Sequence, residues 1–297
     1  MIDRKGILWF LLVTFGITFV YEGALILSGL NMNFAGPFAK ESTAPYLPLL
    51  IGMAMWIPAM STVIVVKFIT KEGFAITNLR IGPIRPYVVS ALTVPACFAV
   101  IYGLTWLAGL AQPDWRFEHF RSSMEGMGID TSAMPPVFIL APMIFVSSLI
   151  VGPFVNGIFG FGEELGWRGY LMPKLLALGR PKAYVILGVI WGLWHAPLIV
   201  AGFNYPGYPL LGIIVMCGMT TAFGIYINEM TLRNRSSILA GWIHGAFNGQ
   251  AYGIWRILFP DANPLLGGFT GLAGIAVWGV VGCWMARRHT RTSGPRT

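Results

Sequence analysis

The chain has 297 residues, of which 56% are hydrophobic and only 11% charged. A soluble domain carries about 25% charged residues, so these charges are too few to coat a soluble globule, and the composition indicates an all-α, polytopic transmembrane bundle. The formal charge of +8 does not point to nucleic acid, because the basic residues sit in short loops between apolar runs.

A helix needs about 20 apolar residues to cross the bilayer core. The first such run, Ile7–Leu30, follows Arg4 and Lys5 as a signal sequence would. It is too long for a signal h-region and no A-x-A site follows it, so it reads as a retained first helix. Seven more candidate spans follow: Tyr46–Ile69, Tyr87–Ala111, Val137–Phe161, Ala183–Gly202, Tyr208–Asn228, Ser236–Trp255 and Leu265–Ala286. Residues 1–286 thus read as a single membrane domain of about eight spans, and 287–297 as a basic, disordered tail. The longest loop, Gln112–Pro136, has room for a short surface helix. Cys97, Cys217 and Cys283 each fall inside an apolar run, as packing residues do. Orientation follows from the basic residues. Fifteen Lys and Arg fall on the side of both termini and four, Lys40, Arg116, Arg121 and Arg256, on the other, with Arg168 set aside. The positive-inside rule then places both termini in the cytoplasm, and the protein in the cell membrane, or in the endoplasmic reticulum membrane of a eukaryote.

Ionisable groups inside such spans are functional candidates. No Asp lies in any span; the Glu exceptions are Glu22, the pair Glu163–Glu164, and Glu229 at a helix end. On a helix Glu164 and Arg168 are i,i+4 neighbours and can pair, and a guanidinium holds its carboxylate ionised and fixed. Glu163 points about 100° away, which leaves it the freer of the two to take a proton from water. His195, in Trp191-Gly192-Leu193-Trp194-His195, and His244, one turn before Asn248, are the two intramembrane histidines. Each feature alone also fits a structural role: a helix-end salt bridge, a core histidine, a polar pair bridging two helices. Depth links them. His195 lies about 18 Å and His244 about 12 Å from the cytoplasmic start of its helix, and Glu163 ends a helix descending to the same side.

Residue types exclude several intramembrane chemistries. No Ser has Gly two places before it, as a rhomboid-type serine protease requires; no pair of intramembrane Asp exists for an aspartyl protease; no His is followed by Glu, as H-E-x-x-H demands. A Glu pair, two His, an Asn and an Arg remain, a set suited to activating water and holding an oxyanion.

Glu163-Glu164-x-x-x-Arg168, Trp191-x-x-x-His195 and His244-x-x-x-Asn248 resemble, in order and spacing, the three motifs of the CPBP family, also called the ABI or CAAX amino-terminal protease family. The resemblance covers roughly residues 137–255 and departs at Trp191, where the family usually has Phe. It implies an intramembrane endopeptidase acting on a membrane-associated protein or peptide, with Glu163 as general base and His195 sharing the water. Glu164 and Arg168 would be the supporting pair, and His244 and Asn248 would face the oxyanion. The motifs allow Zn²⁺ on Glu163, His195 and His244, but Glu163 cannot easily be both ligand and base, so a metal-free reaction is favoured. Eukaryotic members of the family process prenylated CaaX proteins, while bacterial members are linked to peptide maturation and bacteriocin immunity, so the substrate stays open. Two other readings compete: a proton-coupled transporter using the Glu/His cluster as a relay, against which no internal repeat is seen, and a non-catalytic immunity or membrane-binding protein.

Overall fold

A computed structural model describes residues 2–29 and 47–292, with side chains placed to residue 288. Lys40 and Arg296, which enter the charge count above, lie outside the described residues. All regular structure among the described residues is helical. Helix α1 (Arg4–Leu27) is opened by Asp3, whose Oδ1 accepts the Gly6 N–H at 2.9 Å, satisfying one of the orphan donors of a helix start. The second expected span is split into α2 (Leu47–Ala54) and α3 (Ile57–Ile64), because Pro58 has no N–H to continue the ladder; a π-helical stretch, Val65–Thr70, closes it. There follow α4 (Arg85–Leu107) and α5 (Glu118–Gly126), the latter a short helix inside the long loop. Next come α6 (Val137–Glu164), a π-helical stretch (Leu165–Leu171) and α7 (Met172–Leu175). The C-terminal half holds α8 (Arg180–Trp194), α9 (Ala196–Val200), α10 (Pro209–Asn234), α11 (Ser237–Ala251), α12 (Ile254–Leu258) and α13 (Leu272–Thr292).

The chain is a polytopic helical bundle, and the element boundaries differ from the sequence reading in informative ways. Five helical stretches among the described residues are long and apolar enough to cross a membrane, where composition suggests eight spans. Two of the remaining segments, α8 and α11, have only 15 residues each. α8 stops at His195 because Pro197 follows, and α11 stops before Gly253, whose backbone leaves the helical region. α13 continues to Thr292, through the start of the expected tail. The largest difference is at Glu163 and Glu164. The apolar run ends at Phe161, but the helical path goes on to Leu178. Three glycines explain it. A Cβ on Gly162 would lie 2.7 Å from the Met55 carbonyl, one on Gly166 2.5 Å from Pro58, and one on Gly169 3.1 Å from the Thr77 carbonyl. Backbone therefore packs directly on backbone, and the charged pair is enclosed by protein instead of hydrated at a helix end.

The most extensive helix contact is between α6 and α11, and it is antiparallel: Gly152 meets Gly249, Gly157 meets Gly245, and Phe161 meets Gly241. The spacing Gly241, Gly245, Gly249 is the small-residue stripe that lets membrane helices approach closely. A Cβ at Gly245 would sit 2.3 Å from the Gly157 nitrogen, while one at Gly103 would meet nothing within 4 Å. Gly245→Ala is therefore expected to destabilise the bundle by about 1–3 kcal/mol or more. Gly103→Ala is expected to be neutral or to stabilise by up to about 1 kcal/mol. Thermal unfolding of the two variants in detergent checks the contrast, and equal midpoints would contradict it.

At one end of the bundle Lys174 ties three segments together. Its Nζ donates to Asp3 Oδ2 at 2.5 Å and to both Glu72 carboxylate oxygens at 2.9 Å, and it stands 4.6 Å from the Tyr170 ring centroid. The hydrogen bond from Lys174, helped by the Gly6 N–H, holds the Asp3 carboxyl below its ordinary value of 3.8. Burial works against the Glu72 carboxylate, but hydrogen bonds from Lys174 and Thr70 outweigh it and hold the group below 4.5. A depressed carboxyl contributes stability above its unfolded value and loses it as pH falls through the lower folded value. Acidification below about pH 4 should thus lower the unfolding midpoint of the wild type more than that of Lys174→Met. Parallel loss in both proteins would mean the clamp contributes nothing.

Candidate active site

α6, the π-helical stretch, α8, α10 and α11 converge on one buried polar cluster. Glu164 and Arg168 are both 0% exposed, and Arg168 Nη1 donates to Glu164 Oε1 at 3.0 Å. The i,i+4 pairing expected from spacing is therefore made. The same Oε1 accepts from His244 Nδ1 at 2.9 Å. The guanidinium is further held by Nε donating to Asn228 Oδ1 at 3.0 Å, and it lies 4.2 Å from the Trp191 ring centroid. Gly224 makes room for it, since a Cβ there would approach Nη2 to 3.1 Å. One carboxylate thus anchors a cation from its own chain segment and an imidazole from α11.

Glu163, 2% exposed, has different neighbours. Its Oε2 accepts from Trp191 Nε1 at 2.6 Å and from Trp167 Nε1 at 3.3 Å. Neither donor carries a formal charge. The carboxylate is near enough to both His195 and His244 for direct electrostatic interaction with each. His195, at the break between α8 and α9, has Nδ1 2.8 Å from the Trp191 carbonyl oxygen. A carbonyl only accepts, so Nδ1 carries the proton, and in the neutral ring Nε2 keeps its lone pair. Trp194, the last residue of α8, donates its indole N–H to Thr18 Oγ1 at 2.7 Å, so α1 braces the same break. Asn248 lies one turn beyond His244 and lines a largely apolar cavity of about 810 Å³ between α2, α6 and α11. The cavity wall on α6 steps through Ser148, Gly152, Val155 and Phe159, and Glu163 lies one turn beyond Phe159 along the same helix. The opposite wall includes Tyr252, which is itself within electrostatic reach of Glu163.

The structure therefore gathers Glu163, Glu164, Arg168, His195 and His244, with Asn248 at the cavity edge of the same helix face. Sequence reasoning missed Trp167, Asn228 and Thr18, and it treated Trp191 only as a departure from the motif. The N–H of Trp191, which a Phe lacks, supplies the shortest bond to Glu163. No group of three or more His, Cys, Asp or Glu side chains among the described residues is placed to hold a metal ion. The Nδ1 of each histidine is hydrogen-bonded, to the Trp191 carbonyl and to Glu164, which leaves Nε2 of each ring for the site.

A family model described as type II CAAX prenyl endopeptidase Rce1-like matches residues 137–250. The chain is 30% identical over 142 residues to a protein of Methanococcus maripaludis named CAAX prenyl protease 2, which covers 37% of this chain and 52% of that protein. The chain thus spans about half the length of the curated relative it matches. With the long apolar helices, these likenesses make it a multi-pass membrane protein. The matched region begins with α6 and ends within α11, the two helices that carry Glu164 and His244.

The pairing at Glu164 has a direct energetic consequence. Glu164→Gln leaves Arg168 buried with its charge incompletely offset, which should cost about 3–5 kcal/mol. Arg168→Ala should fail similarly, and the double change Glu164→Gln with Arg168→Met should recover part of the loss, since an apolar replacement of a buried pair is often tolerated. Unfolding midpoints and membrane yields of the three variants decide it; a double variant no better than the singles would contradict the pairing.

Proposed function

We propose that this chain, whose residues 137–250 match the type II CAAX prenyl endopeptidase Rce1-like family model, is an intramembrane endopeptidase that hydrolyses a peptide bond by water activated at Glu163. The observation that supports this best is the contrast between adjacent carboxylates. Glu164 is committed to Arg168 and His244, whereas Glu163 is oriented by two neutral N–H donors on a single oxygen, which leaves Oε1 to accept a proton from water. His195 presents Nε2 as a second acceptor for that water, because Nδ1 is engaged. His244, held through Nδ1 by Glu164, has Nε2 to donate toward an oxyanion when the ring is charged, and Asn248 adds an amide donor on the same face. The water proton passes to Glu163, the hydroxide adds to the carbonyl carbon, and collapse of the tetrahedral adduct expels the amine, which must receive a proton. No step in this scheme runs through a metal.

The apolar cavity beside Asn248 is within the size range of small-ligand sites and suits a membrane-associated protein or peptide with an apolar group near the bond to be cut. The prenyl group named for the Methanococcus relative is one such group.

Glu163→Gln keeps the shape of the side chain and removes its basic oxygen. It should leave the protein inserted and folded but lower turnover by about 10²-fold or more. His195→Ala should behave likewise, and Trp191→Phe, which keeps the ring over Arg168 but drops the bond to Glu163, should cost less. A chelator should leave cleavage intact. Cleavage of a prenylated and an unprenylated peptide by purified protein, followed by mass spectrometry, gives the rates. Near-normal turnover by Glu163→Gln would overturn the role of the base, and loss of activity together with a stoichiometric metal would overturn the metal-free scheme.

A further inference from the structure

A third carboxylic acid faces this site from outside the region that the family model matches. Glu22, on α1, is 0% exposed. Neither of its carboxyl oxygens has a hydrogen-bond partner among the described residues. Its surroundings place it at the centre. One turn before it, Thr18 accepts the indole N–H of Trp194, the residue preceding His195. One turn after it, Leu25 and Ile26 pack with Leu198 and Phe203 in an apolar cluster that also takes in Tyr252. Between these contacts Glu22 is near enough to Glu163 to interact with it electrostatically. Tyr21, on its own helix, is the other ionisable group in comparable reach, and no cation pairs with Glu22 among the described residues.

The two carboxyl groups thus have opposite environments. Glu163 receives two N–H bonds, while Glu22 receives none. A buried carboxylate without a donor or a cation is costly, and the group avoids the cost by keeping its proton. Such a side chain is a poor choice for stability, since a leucine would fill the space without an unsatisfied polar group. Two acids with such different surroundings at one centre are the arrangement in which one can serve as base and the other as acid.

Resting on the protease reading above, we propose that Glu22 is the general acid of the reaction, protonating the departing amine while Glu163 acts as base. The proton count closes. Glu163 takes one proton from water and the remaining hydroxide bonds to the carbonyl carbon. When the carbon–nitrogen bond breaks, the amine nitrogen takes the proton of Glu22, leaving a carboxylate there. The proton on Glu163 then passes to Glu22 and both groups return to their starting states. The products are a carboxylic acid and an amine, with no other reactant consumed. The first helix, in this role, is part of the reaction centre and not only a membrane anchor.

Glu22→Gln and Glu22→Leu test the assignment. Both should insert and fold, with the Leu variant at least as heat-stable as wild type. Both should lose about 10²-fold or more in turnover. The alkaline decline of kcat/KM, which reports the acid in its deprotonated form, should vanish from the residual activity. Glu22→Asp, which keeps the acid on a shorter arm, should retain that decline and recover part of the rate. Infrared spectra at neutral pH supply a readout independent of turnover: a protonated-carboxyl band present in wild type should be missing from Glu22→Gln. Wild-type turnover with an unchanged pH profile in Glu22→Leu, or a wild-type spectrum without the band, overturns the proposal. The protease reading fails separately, if Glu163→Gln cleaves as fast as wild type. An inactive Glu163→Gln beside a fully active Glu22→Leu would sink the acid and spare the base.

Discussion

The carboxylate of Glu164 is sealed from water and must be offset by groups that reach it through protein. Arg168 does so from the next helical turn, and His244 from the far side of the α6–α11 contact. That geometry sets conditions on everything nearby. The guanidinium needs Asn228 at its Nε and the open face of Trp191, which fixes how α10 and α8 approach. The imidazole can reach Oε1 only if α11 lies almost against α6. The glycine stripe on α11 permits this, and Gly160 does the same on α6, where a Cβ would come within 2.9 Å of His244 Cβ. A single buried charge thus specifies the arrangement of four helical elements, because leaving it unpaired in a low-dielectric interior costs about 3–5 kcal/mol.

Interruptions of regular helix occur where the chemistry sits. The α-ladder gives way to π-helix immediately after Glu164, α8 breaks at His195, and α11 ends within eight residues of His244. Membrane-embedded backbone tolerates such breaks only where protein or a cavity satisfies it. Here the His195 ring bonds the Trp191 carbonyl and Trp194 ties the broken end to Thr18. The short helices let polar side chains meet a cavity at depth without exposing their backbone to lipid. The indoles of Trp167 and Trp191 fill the same need for Glu163: they donate hydrogen bonds while presenting apolar faces to the surrounding core.

Away from the centre, charged groups hold segment ends together. Lys174 joins the start of α1 to the loop at Glu72. Arg80 caps the end of α10 through the carbonyls of Asn234 and Arg235. Glu229, expected as a helix-end residue, is buried and receives the Tyr184 hydroxyl at 2.7 Å with Arg233 alongside. These contacts keep α1 and α10 in register with α6, and so keep Glu22 and Asn228 at the site.

The class of the protein was legible in its composition, since a chain with so few charges and such long apolar runs has only the membrane in which to fold. The pairing of Glu164 with Arg168 was legible too, because i,i+4 proximity is a property of a helix and needs no partner. So was the gathering of Glu163, His195 and His244, which rested on depth along separate helices. Local pattern could not show how deep the glutamate pair lies. Hydropathy ends at Phe161, and only the close approach of Gly162 and Gly166 to the Met55–Pro58 backbone reveals that the helix continues under cover. Nor could spacing assign His244 to Glu164, the indole of Trp191 to Glu163, or Glu22 to the same centre. The two hydrogen bonds join residues 80 and 28 positions apart, and Glu22 and Glu163 stand more than 140 positions apart in the chain. Such residues come together because helix packing, set by glycine stripes and by the neutralisation of a buried charge, brings distant faces together, and no periodicity within one helix encodes which face of another it will meet.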